Sequence, residues 1–167
     1  MIGRVLSALS VAGMLIVASP QATAKEHPWI KYEAKKYGFS MMVPKGTRFR
    51  GKEWKNGWGG LHANYWGVKL WGIAHLGKKH TAKEIETFAL LVTGVPAKKW
   101  KLKDQGKEKN GWEWYKTWEA RRGKAVFIGA YGVGPKGSYL LVLRTNKKSY
   151  ARDKAAYLRW YKSLTVF

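Results

Sequence analysis

Apolar positions along this chain recur with two periods, and the period assigns most of the elements. Gly38 to Val43 is a short apolar run that Pro44-Lys45-Gly46 closes, which predicts a strand followed by a turn. Leu61 to Leu76 is longer, aromatic and interrupted by Gly67 and Gly72. It predicts two strands or one strongly bent strand, with the glycines at bulges or close approaches. From Trp112 to Arg121 the alternation is regular: Trp112, Trp114, Lys116, Trp118 and Ala120 on one face, Glu113, Tyr115, Thr117 and Glu119 on the other. Arg122-Gly123 turns into a strand over Lys124 to Val133, and Gly134-Pro135-Lys136-Gly137 turns into another over Ser138 to Thr145. Three strands joined by short turns make an antiparallel meander.

Two stretches carry the helical period instead. Thr81-Ala82-Lys83-Glu84 fits a capping box, and Ile85, Phe88, Ala89 and Val92 follow as an apolar stripe that Gly94 and Pro96 end. A second helix is predicted with Ser149 as its N-cap and Ala151, Ala155, Leu158 and Tyr161 or Lys162 at helical spacing, ending near Ser163. Leu164 to Phe167 reads as a final short strand or extended tail. The fold class expected is α+β: an antiparallel sheet with two main helices packed on it as an α/β/α sandwich.

Met1 to Ala24 has a different character. Arg4 is followed by a run of about 14 apolar and small residues, short of the ~20 that span a bilayer, then Pro20 and the small-x-small triplet Ala22-Thr23-Ala24. This is the pattern of a cleaved secretory signal peptide over residues 1–24. Residues 25–167 then form a single α+β domain opened by a short flexible segment, 25–36, in a periplasmic or secreted protein. The chain has no Cys, so its core must hold without disulfides.

The segment Tyr37-Gly38-Phe39-Ser40-Met41-Met42-Val43-Pro44-x-Gly46 resembles the opening of the PsbP-like α/β sandwich domains. The order of elements, with a middle helix, a meander and a C-terminal helix running into Ser163-Leu164-x-Val166-Phe167, is similar as well. The resemblance spans about Tyr37 to Phe167. That group includes an extrinsic subunit of photosystem II, a nuclear-import factor that binds Ran, and bacterial periplasmic proteins. What it implies is a binding or accessory module and not an enzyme.

Charge narrows the partner. Lys and Arg number 32 against 10 Asp and Glu, a formal charge of +22, or +21 once Arg4 leaves with the leader. A hydrophobic fraction of 46% excludes a disordered polycation. Such a charge on a folded domain is self-repulsive and is relieved by an anionic surface. In an exported protein the expected partner is an anionic envelope component: lipopolysaccharide, an anionic lipid surface or another anionic polymer. An acidic protein is the other expectation, and nucleic acid is less favoured.

Ten Trp are more than one small core readily hides. One arrangement puts Trp66, Trp71, Trp100 and Trp160 in the core and the rest at its rim. The Gly-rich stretch Trp54-Lys55-Asn56-Gly57-Trp58 reads as a functional loop. With the basic turn Arg121, Arg122 and Lys124 it forms the expected ligand-binding set, since exposed Trp beside Lys suits stacking on sugars or bases or lying at a lipid interface.

Catalytic chemistry is less well served. Glu113 and Glu119 lie ~20 Å apart along one strand, too far for a glycosidase pair, and are expected as paired surface charges. No Ser/His/acid set suggests itself, and His62, His75 and His80 are expected in structural or solvated positions, although His75 and His80 could meet. The alternative function is a small secreted basic hydrolase, a nuclease or cell-wall hydrolase, working through these groups. If cleavage follows Ala24, the mature terminus Lys25-Glu26-His27 offers an amine, two amides and an imidazole, a four-nitrogen site suited to Cu(II) or Ni(II).

Overall fold

The computed structural model describes residues 28–167. The expected signal peptide 1–24 and the expected metal ligands Lys25, Glu26 and His27 lie outside them. Among the described residues ten strands form two sheets. Strands β1 (Trp29–Ala34), β2 (Phe39–Pro44) and β10 (Thr165–Val166) make the small one, in the order β1-β2-β10. The large one contains β3 (Arg50–Glu53), β4 (Gly59–Tyr65), β5 (Val68–Leu76), β6 (Lys101–Lys109), β7 (Trp112–Arg122), β8 (Ala125–Gly134) and β9 (Gly137–Asn146). Its order is β3-β4-β5-β9-β8-β7-β6, and every pairing is antiparallel.

The predicted meander β7-β8-β9 is present and extended by β6. Leu61 to Leu76 resolves into β4 and β5, joined at Trp66-Gly67. Both residues have positive φ, as a two-residue hairpin turn requires. Gly72 marks a close approach: a Cβ there would sit 2.2 Å from Phe39 Cζ of the small sheet. In β7 the alternation slips at its start. Trp118 and Ala120 join one core cluster with Trp114 packed on it, whereas Trp112 turns to the other cluster with Tyr115.

Helix α1 (Ala82–Thr93) matches its sequence signal. Thr81 accepts from the Glu84 N–H, the Glu84 carboxylate accepts from the Thr81 N–H, and Gly94 closes the helix in the left-handed region. The helix lies over β8 and β9 on one face of the large sheet, burying Ile85, Phe88 and Ala89. On the other face lie the small sheet and the C-terminal helices, with α3 packed on β2. The layers are therefore α1, the large sheet, then the small sheet with the C-terminal helices, and strand outweighs helix.

Four expectations are corrected. The segment 25–36, expected to be a flexible lead, contains β1 from Trp29, because Trp29 to Ala34 pair with Pro44 to Phe39. The second helix begins at Asn146, not Ser149, since the Asn146 side chain accepts from the Ser149 N–H. It also breaks at Asp153 into α2 (Lys147–Arg152) and α3 (Lys154–Ser163). Its buried face is Tyr150, Tyr157 and Trp160, while Leu158, expected inside, is 45% exposed.

Candidate functional site

The expected ligand-binding residues do not form one site. The loop after β3 sits at the sheet end where Gly59 pairs with Ala74, in the cross-strand row that continues through Tyr139 and Gly132 to Tyr115. The basic turn lies where Arg122 pairs with Ala125 and Ala125 with Asn146. Seven residues along β7 separate those rows, about 23 Å. Within the loop, Lys55 and Asn56 are exposed and Trp54 is half-buried. Trp58 is 4% exposed, stacked on Phe88 at 4.2 Å and on His80 at 5.2 Å between ring centroids. It is core, not a ligand platform. Arg121, Arg122 and Lys124 are exposed, but Arg122 donates to the carbonyls of Thr93 and Gly94, which the end of α1 leaves unpaired, and Arg121 donates to Glu119.

The large sheet gathers a different set. On the face bearing α1, one cross-strand row runs Arg50, His62, Trp71, Val142, and the next begins Asn64, Lys69, Arg144. Lys52 and Gly60 precede them, opposite Ile73. Since α1 covers β8 and β9, the half of this face toward β3 stays open: Arg50 and Lys52 are exposed, and His62, Lys69, Trp71 and Arg144 are half-buried. From β3 to β9 is three strand spacings, ~14 Å, and from Lys52 to the Lys69 row is ~13 Å. Lys52 stands 5.0 Å from the Trp54 ring and Arg144 5.7 Å from the Phe127 ring. None of the four cations is in an ion pair among the described residues, and no Asp or Glu points to this face from β3, β4, β5 or β9. A buried Nδ1 on His62 has no hydrogen-bond partner there.

The open half of this face thus carries four cations without an ion pair among the described residues, beside two half-buried indoles, on one pleated surface. In the sequence, Arg50 and Lys52 stand out only as part of a basic cluster, His62 only among the groups of the hydrolase alternative, and Lys69, Trp71 and Arg144 not as site residues at all. The available signal was the alternation Lys69-x-Trp71-x-Ile73-x-His75 in β5, half of it unsuited to a closed core. Trp66, expected inside, is 76% exposed because it sits on the β4–β5 turn. Trp71 and Trp100 are half-buried, and Trp160 is fully buried as expected.

The histidine and carboxylate groups have structural partners. His75 and His80 meet, with Nδ1 of His75 2.8 Å from Nε2 of His80, beside Trp58. Burial, with the charges of His80 and Lys78, lowers the pKa of His75. Ser138 is buried, accepting from the His80 N–H and donating to the Lys78 carbonyl. Glu113 pairs with Lys79 at 2.5 Å on the surface, as expected. Glu119 departs from expectation, being buried at 8% exposure with Tyr150, Lys103 and Arg121 around it. Burial pushes its carboxyl up, but the hydrogen bonds from Tyr150 and Lys103 and the Lys103 charge outweigh this and hold it below the usual range. Among the described residues no cluster of three His, Asp or Glu side chains has metal-binding geometry, and no helix is long and apolar enough to cross a membrane.

No protein-family model matches this chain, and no curated protein sequence matches it. Solved structures do. The solution structure of cyanobacterial PsbP (CyanoP) from Synechocystis sp. aligns with a TM-score of 0.56 over 90% of this chain and 99% of that one, at 16% identity. At that identity the likeness speaks for the fold, and it agrees with the resemblance that Tyr37 to Gly46 carries in sequence. The chain has a PsbP-like fold.

Proposed function

We propose that this is an exported, non-enzymatic accessory protein that binds an anionic component of the cell envelope. The observation that carries the reading is the open half of the α1 face, where Arg50, Lys52, Lys69 and Arg144 converge from β3, β5 and β9 beside Trp54 and Trp71 with no carboxylate among them. Cations held on a flat sheet suit a repeating or planar anion, as in the phosphorylated core of lipopolysaccharide or an anionic lipid surface. Half-buried indoles suit the sugar or interfacial part of the same partner. The sequence pattern of residues 1–24 and the PsbP-like fold support an exported accessory role. Co-sedimentation with lipopolysaccharide and with anionic vesicles, at low and at high salt, tests the reading. Binding that weakens steeply with salt is expected. Binding to neither, or binding indifferent to salt, overturns it.

A further inference from the structure

On the opposite face of the large sheet a groove of about 530 Å³ runs between β6–β7 and α3, within the size range of ligand pockets. Trp112, Tyr115, Leu158 and Leu164 make its apolar lining, and Leu158 is 45% exposed there, at the groove's solvent side. Lys103, Lys109 and Lys162 line it as well, against a single acid, Asp104. That carboxylate is already engaged, accepting from the Tyr115 O–H at 2.9 Å and the Gln105 N–H at 2.9 Å. Lys103 is matched by Glu119, but Lys109 lies 5.9 Å from the Tyr115 ring, and neither it nor Lys162 is in an ion pair among the described residues. An apolar trough with surplus positive charge fits one chemistry, an apolar body ended by an anion.

We propose that this groove binds a single-chain amphipathic anion, with the alkyl chain along Trp112, Leu158 and Leu164 and the headgroup at Lys109 and Lys162. The site is independent of the cationic sheet face and stands or falls separately from it. Calorimetric titration of the protein with laurate and dodecyl phosphate, below their micelle concentrations, tests it, with dodecyltrimethylammonium as the opposite-charge control. Saturable binding of one or both anions, and none of the cation, is expected; which anion binds identifies the headgroup. Leu158→Glu and Lys162→Glu, both at exposed positions, should each weaken binding at least tenfold, while Lys124→Ala on the distant basic turn leaves it unchanged. The proposal is overturned if neither anion binds saturably, if the cation binds as well, or if both groove variants bind like the wild type. It is overturned too if Lys124→Ala weakens binding as much as Leu158→Glu, since the amphiphile is then not held by the groove.

Discussion

Replacing Gly72 by alanine probes how the two sheets are locked together. A Cβ at this position would lie 2.2 Å from Phe39 Cζ, 2.4 Å from its Cε2 and 2.9 Å from Met41 Cε. Carbon atoms rest at ~3.5–4.0 Å, so the ring would have to retreat by more than ~1 Å. It has nowhere to go, because Phe39 and Met41 are fully buried and the interior is close-packed. Overpacking costs about 1–3 kcal/mol, and a rigid ring meeting the new methyl end-on places this case near the upper end. At roughly 3–4 °C per kcal/mol for a domain of this size, the Tm should fall by about 10 °C. Gly51→Ala on the edge strand is the control: nothing lies within 4 Å of its Cβ, so stability should stay level or rise by up to ~1 kcal/mol. Phe39→Leu removes the ring atoms that the new methyl would strike hardest, leaving only the flexible end of Met41 to give way. Combined with Gly72→Ala it should therefore cost ~1–2 kcal/mol less than the two changes summed. Thermal and urea unfolding of the four variants and the wild type measure this. A Tm within ~2 °C of wild type for Gly72→Ala, or strict additivity in the double variant, would show that the small sheet does not press on β5 at this point.

Further predictions rest on single contacts. Thr81→Ala removes one arm of the capping box on α1 and should cost about 1 kcal/mol in urea unfolding, with Thr81→Asn retaining most of it. Because the folded pKa of His75 is depressed, the unfolded chain takes up protons first; the fold should lose stability as pH falls from its unfolded value of ~6.5 towards the lower folded one, and His75→Asn should flatten Tm between pH ~7.5 and ~5.5. Glu119→Gln leaves Lys103 and Arg121 without their counter-charge and should cost ~1–3 kcal/mol at neutral pH, a difference that shrinks in acid as the wild-type carboxyl, held low in the fold, is finally protonated. Trp58→Ala should behave as a core deletion, lowering stability by ~3–5 kcal/mol rather than selectively weakening ligand binding.

What the sequence made legible was local. Thr81, Glu84 and Gly94 satisfy the ends of α1 with groups three or four residues away, so their order in the chain already states the helix. The tight turns of the meander are equally local. Asn146 and Ser149 are both good caps three residues apart, and only the geometry shows that the first accepts from the backbone of the second. Trp58 misleads for the opposite reason: a Gly-rich stretch suggests exposure, while the rings that cover it, Phe88 and His80, come from α1 and the segment before it. The cationic face is harder still. It takes residues from β3, β4, β5 and β9, and their juxtaposition depends on strand order and register, which runs of consecutive lysines such as Lys147-Lys148 do not reveal.

In the proposed function, anions are held by the arrangement on the α1 face and not by net charge alone. Two variants with the same loss of charge separate these: Arg50→Ala/Lys69→Ala/Arg144→Ala on the face, and Arg121→Ala/Arg122→Ala/Lys124→Ala on the distant turn. The measurement is the affinity of each for lipopolysaccharide across a salt series. The face variant should lose ~10-fold or more, at about 0.5–1 kcal/mol for each of three contacts, and its salt dependence should flatten, while the turn variant keeps a slope close to wild type. Equal losses and equal slopes for the two variants would contradict it.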